Sequence, residues 1–148
     1  MMGTFNIDID IDRDAHDVFA VLSDVHAMPR WYEAVKEVVP LTSGGPKLGA
    51  RYKIGRTLPG GPVQNEVAVT EYVADQLFTI ESVSGPTPFR YRYSLEPAAK
   101  RTKLRLEGEI TGDGLPGPLA HVDVLVTQLF KRGMGDNLRK LSQLIETS

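Results

Sequence analysis

Apolar and polar residues alternate strictly near the start of the chain, over residues 4–12. The odd-numbered positions from 5 to 11 are Phe or Ile, and the even-numbered positions from 6 to 12 are Asn or Asp. Because successive side chains of a strand point to opposite faces, this period of two predicts a half-buried β-strand.

Helical signals follow that strand. Asp14 is suited to cap a helix that runs to about Leu22, and residues 25–32, which contain Pro29, predict a second, short helix. Residues 34–111 then alternate again, with breaks rich in Gly and Pro. Loops of hairpin length between such segments predict about six antiparallel strands.

Helical spacing returns in the last segment. From Pro118 to about Glu146, apolar residues recur every three or four positions, which predicts one long amphipathic helix over residues 118–146 with Pro118 in its first turn. Gly133 and Gly135 lie inside it, although each costs about 1 kcal/mol relative to Ala in a helix interior. We expect close packing of the helix to compensate, rather than a kink that opens space.

This order of elements predicts an α+β fold in one domain, residues 1–148. An antiparallel sheet with one apolar face must be covered, and the last helix is the element long enough to cover it. The chain has 148 residues and no cysteine. It is therefore long enough to bury a core without cross-links, and thiol catalysis and cysteine-ligated metals are excluded.

Several short motifs resemble one family through their order and spacing. They are Ala15–Leu22 with Pro29-Arg30-Trp31-Tyr32, Leu48-Gly49-Ala50-Arg51-Tyr52, Val69-Thr70-Glu71-Tyr72, Ser84-Gly85-Pro86 with Tyr93-Ser94-Leu95-Glu96-Pro97, and Leu115-Pro116-Gly117-Pro118-Leu119. This series resembles the START/Bet v 1-like (SRPBCC) superfamily, and within it the polyketide cyclase/dehydrase and lipid transport-like proteins. The resemblance implies a helix-grip fold, a curved antiparallel sheet wrapped around the long C-terminal helix with two short helices after strand 1. It implies no single reaction, because the scaffold carries binders, receptors and cyclases.

Charge and targeting signals narrow the function classes. Seventeen basic against nineteen acidic residues give a net charge of −2, which argues against a nucleic-acid partner. Residues 1–8 lack the features of a signal peptide, and no run of about 20 apolar residues occurs, so we expect a cytoplasmic protein. The three histidines have no metal-ligand spacing, and we expect neither metal nor cofactor. The oligomeric state, monomer or homodimer, stays open.

Strand parity assigns residues to an inner face, which we expect to enclose a cavity under the last helix. Gly108 is expected to leave space in this wall. Trp31 joins the set through the family resemblance. The predicted ligand-binding residues are Trp31, Tyr52, Ile54, Arg56, Asn65, Val67, Phe78, Ile80, Tyr91, Tyr93, Leu106, Val126 and Leu129.

Arg56 is the most informative member of this set. A guanidinium keeps its charge and is costly to bury without acceptors, so it either binds Asn65 and a ligand oxygen inside the cavity or reaches solvent at the strand end. The hydroxyls of Tyr91 and Tyr93 either bind a ligand carbonyl or only pack. On the outer face, Arg90 and Arg92 are expected to form a solvated surface, which we favour over a docking surface for anionic lipids.

Three functions are compatible with this sequence. The first is binding or carriage of a hydrophobic small molecule, such as a lipid, an isoprenoid or an aromatic polyketide-like compound. The second, which the resemblance allows, is a polyketide cyclase/dehydratase-type enzyme in which Arg56 stabilises an enolate and Tyr91 or Tyr93 donates a proton. The third is a stress-regulatory interaction module. Whether the protein is an enzyme stays undecided at this level.

Overall fold

A computed structural model describes residues 2–58, 60–111 and 124–148 of the chain. Its elements are β1 (Met2–Ile11), α1 (Ala15–Leu22), a 3-10 helix (Val25–Arg30), β2 (Val35–Pro40), β3 (Arg51–Leu58), β4 (Gly61–Val73), β5 (Leu77–Ser84), β6 (Phe89–Ala98), β7 (Arg101–Thr111) and α2 (Val124–Glu146). The predicted order of elements is confirmed. The predicted helix start at Pro118 and the motif at residues 115–119 lie outside the described residues.

The strands form one antiparallel sheet with the order β1-β7-β6-β5-β4-β3-β2. Register shifts interrupt the pairing of β2 with β3 and of β4 with β5. Such bulges bend a strand and increase its twist, which helps a sheet to curve around a helix. The sheet and α2 together form the predicted helix-grip fold.

Local signals set the ends of α1. The side chain of Asp14 accepts a hydrogen bond from the backbone N–H of Asp17 at 2.9 Å, as expected of an N-cap. The buried face of the helix contains Ala15, Val18, Phe19 and Leu22. Spacings of three and four residues place these side chains on one face, which packs toward the sheet.

The core lies between the inner face of the sheet, the two short helices and α2. From α2 it receives Met134, Leu138, Leu141 and Ile145, all buried. The expectation that Gly108 leaves an open space is wrong: a Cβ atom there would lie 2.5 Å from Cζ of Phe5. The Phe5 ring fills that space, so the glycine makes room for an aromatic side chain of the neighbouring strand.

Ion pairs cover the outer face of the sheet. Oε1 of Glu71 accepts from Arg90 Nη2 at 3.1 Å and from Arg92 Nε at 3.0 Å, and Arg92 also lies 3.8 Å from Glu107. The arginines therefore face carboxylates rather than forming an unpaired basic patch. In the described ranges, no helix is long and apolar enough to cross a membrane, and no group of three or more metal-binding side chains occurs.

Candidate functional site

A pocket of about 500 Å³ lies between α2 and the adjoining ends of β2 and β3. Its walls are mostly apolar, and its polar groups are few. The lining residues are Tyr32, Glu33, Ala34, Lys36, Arg56, Thr57, Leu58, Val126, Leu129, Phe130, Gly133, Met134 and Asn137. Leu129 is 59% exposed, so the pocket is open to solvent beside it. Apolar walls with a few polar groups are typical of small-molecule sites.

Arg56 contributes the fixed charge of this pocket. Although it lies on β3 near a strand end, its side chain turns inward and is only 3% exposed. Its Nε and Nη2 atoms donate to Oδ1 of Asn65 at 3.0 and 2.8 Å. The structure therefore supports the inward alternative for Arg56 and the expected contact with Asn65.

The turn between β5 and β6 supplies the other acceptors. Nη2 of Arg56 lies 3.1 Å from the carbonyl oxygen of Pro86 and also contacts the carbonyl and hydroxyl oxygens of Thr87. Gly85 has a φ of +105°, and a Cβ there would lie 2.7 Å from Nδ2 of Asn65. A residue without a side chain is thus needed for this turn to close over Asn65.

All of these partners are neutral. In the described part of the chain, no carboxylate lies within salt-bridge distance of Arg56, whose guanidinium instead stacks 4.9 Å from the centre of the Phe89 ring. Burial lowers the pKa of Arg56, while the nearby Tyr32 and Tyr91 raise it. Because a guanidinium stays protonated in proteins, Arg56 places a positive charge beside the pocket, and no described carboxylate pairs with it.

Three buried tyrosines extend this polar region into the core. The hydroxyls of Tyr32 and Tyr91 lie 3.5 Å apart. Burial raises the pKa of Tyr32 and, more strongly, the pKa values of Tyr91 and Tyr93, while Arg56 lowers the first two. All three hydroxyls therefore remain protonated near neutral pH, and that of Tyr32 donates to that of Tyr91.

The structure brings only part of the predicted site together at this pocket. Of the predicted residues, Arg56, Val126 and Leu129 line the pocket, and Asn65 accepts hydrogen bonds from Arg56. The others are buried in the core and do not line this pocket: Trp31, Tyr52, Ile54, Val67, Phe78, Ile80, Tyr91, Tyr93 and Leu106. Tyr91 is connected to the pocket through its contact with Tyr32.

Sequence reasoning missed Tyr32, Met134 and Asn137 as lining residues. Tyr32 lies in the connection after the 3-10 helix, where no periodicity assigns a face. Met134 and Asn137 follow the spacing of the buried α2 stripe, and Asn137 is a polar residue buried on that stripe. A polar residue in an apolar stripe is a signal that sequence analysis can use, because a buried amide needs partners.

Asn137 and Lys140 attach α2 to the connection that carries Tyr32. The backbone N–H of Glu33 donates to Oδ1 of Asn137 at 3.1 Å, and the Glu33 carboxylate accepts from Nζ of Lys140 at 2.6 Å. This ion pair with Lys140 lowers the pKa of Glu33. The contacts fix Tyr32 relative to the helix and so define one wall of the pocket.

Gly133 lines the pocket, and the expectation that close packing explains the two glycines is wrong. Among the described residues, a Cβ atom at Gly133 would meet nothing within 4 Å, and one at Gly135 would meet only the end of Arg139 at 3.9 Å. Within residues 2–58, 60–111 and 124–148, no neighbouring element packs closely against either glycine. At Gly133 the missing side chain instead leaves volume in the pocket.

One family model matches nearly the whole chain. It is described as polyketide cyclase/dehydrase and lipid transport, and it covers residues 2–146. No protein with curated annotation is similar to this sequence at a significant level.

Solved structures of the same fold come from bacteria and plants. A START superfamily protein from Mycobacterium smegmatis superposes with a TM-score of 0.81 at 17% identity, with 97% of both chains covered. The Zhui aromatase/cyclase from Streptomyces sp. R1128 superposes with a TM-score of 0.78 at 14% identity, with 99% of this chain and 94% of that chain covered. The major latex-like protein 151 from Panax ginseng gives a TM-score of 0.71 at 12% identity, over 96% of both chains. At these identities the similarity establishes the fold.

Proposed function

Because this chain belongs to the polyketide cyclase/dehydrase and lipid transport family, we propose that it binds an apolar small molecule in the pocket between α2 and the ends of β2 and β3. The observation that carries the proposal is Arg56, a buried cation whose described partners are all neutral, beside walls that are mostly apolar. The ligand places its apolar body against Val126, Phe130 and Met134. It directs a carboxylate, phenolate or enolisable carbonyl oxygen toward Arg56.

The size of the pocket supports a small ligand. About 500 Å³ falls within the usual range of roughly 300–1,000 Å³ for such sites. A lipid with an acidic head, an isoprenoid acid and an aromatic polyketide-like compound all meet the requirement of an apolar body with one oxygen function. In this proposal the protein is a binder or carrier, and Arg56 selects among apolar ligands by charge.

A cyclase/dehydratase-type activity is the second candidate, and the contact between Tyr32 and Tyr91 next to Arg56 favours it. In an aldol closure, an enolate carbon of a poly-carbonyl chain attacks a ketone carbon of the same chain. The enolate forms when an α-proton is lost to solvent, and its attack forms the carbon–carbon bond and an alkoxide, which takes a proton from a tyrosine hydroxyl. The resulting hydroxyl then leaves as water by taking a proton back from solvent, and a second α-proton returns to the tyrosinate. Arg56 would stabilise the enolate, and the protonated hydroxyl of Tyr32 or Tyr91 would supply the proton.

Native mass spectrometry of protein purified from its own cells tests the binding proposal. We expect a bound small molecule that is released on denaturation and contains an acidic or enolisable oxygen group. Purified Arg56→Met protein should retain less of it. A ligand retained equally by both proteins would contradict the role of Arg56.

Incubation with a poly-β-ketone thioester separates the two candidates. An enzyme would accelerate formation of a cyclised, dehydrated product, whereas a carrier would bind the chain without changing its spontaneous products. Loss of the acceleration in Tyr32→Phe with binding retained would identify a catalytic hydroxyl. Equal product formation with and without the protein would exclude the cyclase for this substrate.

A further inference from the structure

A second open volume, a cleft of about 500 Å³, lies between α2 and β1. Leu129 borders both this cleft and the pocket described above. The remaining lining residues belong to the cleft alone: Ile7 of β1, and Gln128, Lys131, Arg132, Gly135 and Arg139 of α2. Spacings of three and four positions connect the α2 residues, so they share a helix face, which differs from the face that carries Phe130, Met134 and Asn137 into the pocket. The cleft is therefore a separate site.

Positive charge is concentrated in this cleft. Three of its lining side chains are cationic and none is acidic. Arg139 forms an ion pair with Asp136, whereas Lys131 and Arg132 form no ion pair within the described ranges. Asp8 follows Ile7 on β1, but alternation points it to the opposite face of the sheet, where it lies 3.8 Å from Arg105. The cleft is thus a local basic surface in a chain whose net charge is −2.

Gly135 lies between the cations on this face of α2. It follows Lys131 by four residues and precedes Arg139 by four, so one helical turn separates it from each. Among the described atoms, a Cβ there would meet only Nη1 of Arg139, at 3.9 Å. Glycine is unfavourable in a helix interior, and packing against another described element does not account for it. The missing side chain leaves an opening between two cations, where a ligand can approach the helix backbone closely.

We propose that this cleft binds a phosphate group, carried by a phosphate ester or a pyrophosphate. Such a group has several negative charges and acceptor oxygens, which several cations can contact at once, and guanidinium N–H groups match phosphate oxygens in pairs. A carboxylate, with one charge, satisfies fewer of these cations. Ile7 and Leu129 offer an apolar surface to the organic part of an ester. The inference goes beyond the proposed function, because Arg56 and its pocket take no part in it.

Titration calorimetry with inorganic pyrophosphate tests the site. We expect saturable binding that weakens as salt is added, because the cations are partly exposed. Lys131→Gln/Arg132→Gln should bind roughly fivefold to thirtyfold more weakly, since two charged contacts at partly exposed positions are lost. Lys53→Gln/Lys103→Gln is the matched control, because it removes two exposed cations from the outer face of the sheet, and its affinity should equal that of the wild type. Equal weakening in both double variants would overturn the proposal.

Gly135→Ala tests the close approach to the helix. The added methyl occupies the opening between Lys131 and Arg139, so pyrophosphate should bind more weakly. The melting temperature should equal or exceed that of the wild type, because Ala is the better helix former, and lost stability would therefore not explain the lost affinity. Gly133→Ala, on the face of α2 that lines the other pocket, should keep its affinity for pyrophosphate. Equal affinities in the two glycine variants would overturn the placement of the phosphate at Gly135.

Vesicles distinguish a soluble ester from a lipid headgroup, since both present the same phosphate chemistry. Sedimentation with phosphatidylcholine vesicles is compared with and without phosphatidic acid. Binding of pyrophosphate without binding to either vesicle supports a soluble ester. Binding to the phosphatidic acid vesicles that is lost in Lys131→Gln/Arg132→Gln supports a lipid headgroup. Wild-type protein that binds neither pyrophosphate nor these vesicles overturns the site.

Arg56→Met separates the cleft from the pocket of the proposed function. This variant should bind pyrophosphate as the wild type does, because Arg56 does not line the cleft. Loss of pyrophosphate affinity in Arg56→Met, with affinity retained in Lys131→Gln/Arg132→Gln, would place the phosphate in the pocket and overturn the cleft site. If the pocket instead binds no apolar ligand while pyrophosphate binding still depends on Lys131 and Arg132, the proposed function fails and the cleft site is supported.

Discussion

Asn65 Oδ1 accepts hydrogen bonds from both Nε and Nη2 of Arg56, and the register of two neighbouring strands produces this contact. Arg56 on β3 pairs with Val63, and Asn65 on β4 pairs with Ile54. Residues offset by two positions on adjacent antiparallel strands share a face and reach each other diagonally. Because Asn65 is an amide and not a carboxylate, it orients the guanidinium without neutralising it. The sheet thus holds a buried cation whose described hydrogen-bond partners are all neutral.

Replacing Arg56 with Met tests this charge directly. Methionine keeps much of the apolar stem and removes the cation, whose hydrogen bond to an anion contributes roughly 1.5–3 kcal/mol. We expect an anionic ligand to bind about ten- to a hundredfold more weakly and a neutral analogue to bind nearly unchanged. Arg51→Met is the control, since Arg51 lies on the same strand but pairs with Glu66 on the outer face at 2.7 Å. Equal losses for anionic and neutral ligands would contradict the prediction.

The contact between Arg56 and Asn65 should also appear in stability. Asn65→Leu has a similar shape but leaves the guanidinium without its principal acceptor, which costs about 1–3 kcal/mol of unfolding free energy. In the double variant Arg56→Met/Asn65→Leu the unpaired cation is gone. The double variant should therefore lose less unfolding free energy, measured with urea, than the sum of the losses of the two single variants. Additive losses would show that the two side chains are not coupled.

Replacing Gly133 with Ala should raise the stability of the protein and lower its affinity for a ligand. Ala is favoured over Gly in a helix by about 1 kcal/mol, and a Cβ atom at this position meets no described neighbour within 4 Å. Gly133→Ala should therefore raise the unfolding free energy by up to about 1 kcal/mol. The added methyl enters the pocket, so the affinity for a ligand that fills the pocket should fall.

Gly135→Ala is the matched control for that experiment. Gly135 lies on the same helix and does not line this pocket. It should stabilise the helix comparably and leave the affinity unchanged. If both variants weakened binding equally, a general effect on the helix would explain the result better than lost pocket volume.

The sequence could predict the face on which each strand residue lies, because a strand alternates its side chains with a period of two. This alternation was sufficient to predict that the side chains of Arg56 and Asn65 both point to the inner face of the sheet. The alternation could not predict where along the strands the pocket lies. That position depends on how α2 and the connection carrying Tyr32 cross the inner face of the sheet. The sequence also could not predict that Pro86 and Thr87 supply acceptors to Arg56. Thr87 adopts a φ of +50°, a conformation that no local sequence pattern indicates.

Glu71 on the outer face should make stability depend on acidic pH. The hydrogen bond from Thr79, together with Arg92 and Arg90, lowers its pKa below the ordinary value of 4.5. The unfolded chain therefore takes up a proton at this residue before the folded chain does. The stabilisation is complete above about pH 4.5 and is lost as the pH falls through the lower folded pKa.

Urea unfolding at a series of pH values measures this contribution. Glu71→Gln should be less stable than the wild type at neutral pH, and the difference should shrink as the pH falls below 4.5. Glu96→Gln, at an exposed position of β6, serves as the control and should show no such convergence. A Glu71→Gln difference that stays constant from neutral to acidic pH would refute the assignment.

Tyr32, Tyr91 and Tyr93 should make the protein sensitive to alkaline pH. Burial raises the pKa of each above its ordinary value of 10.0. Once the pH exceeds 10.0, the unfolded chain loses these protons while the folded chain keeps them, so the folded state loses stability as the pH rises further. Below that pH all three are protonated in both states, and they contribute no pH dependence.

We expect the phenolate absorption of these three residues to appear together with the loss of the folded circular dichroism signal. Tyr93→Phe removes one of the most strongly shifted groups and should move this alkaline transition to higher pH. Full phenolate absorption while the dichroism signal is still that of the folded protein would show that the three hydroxyls are open to solvent.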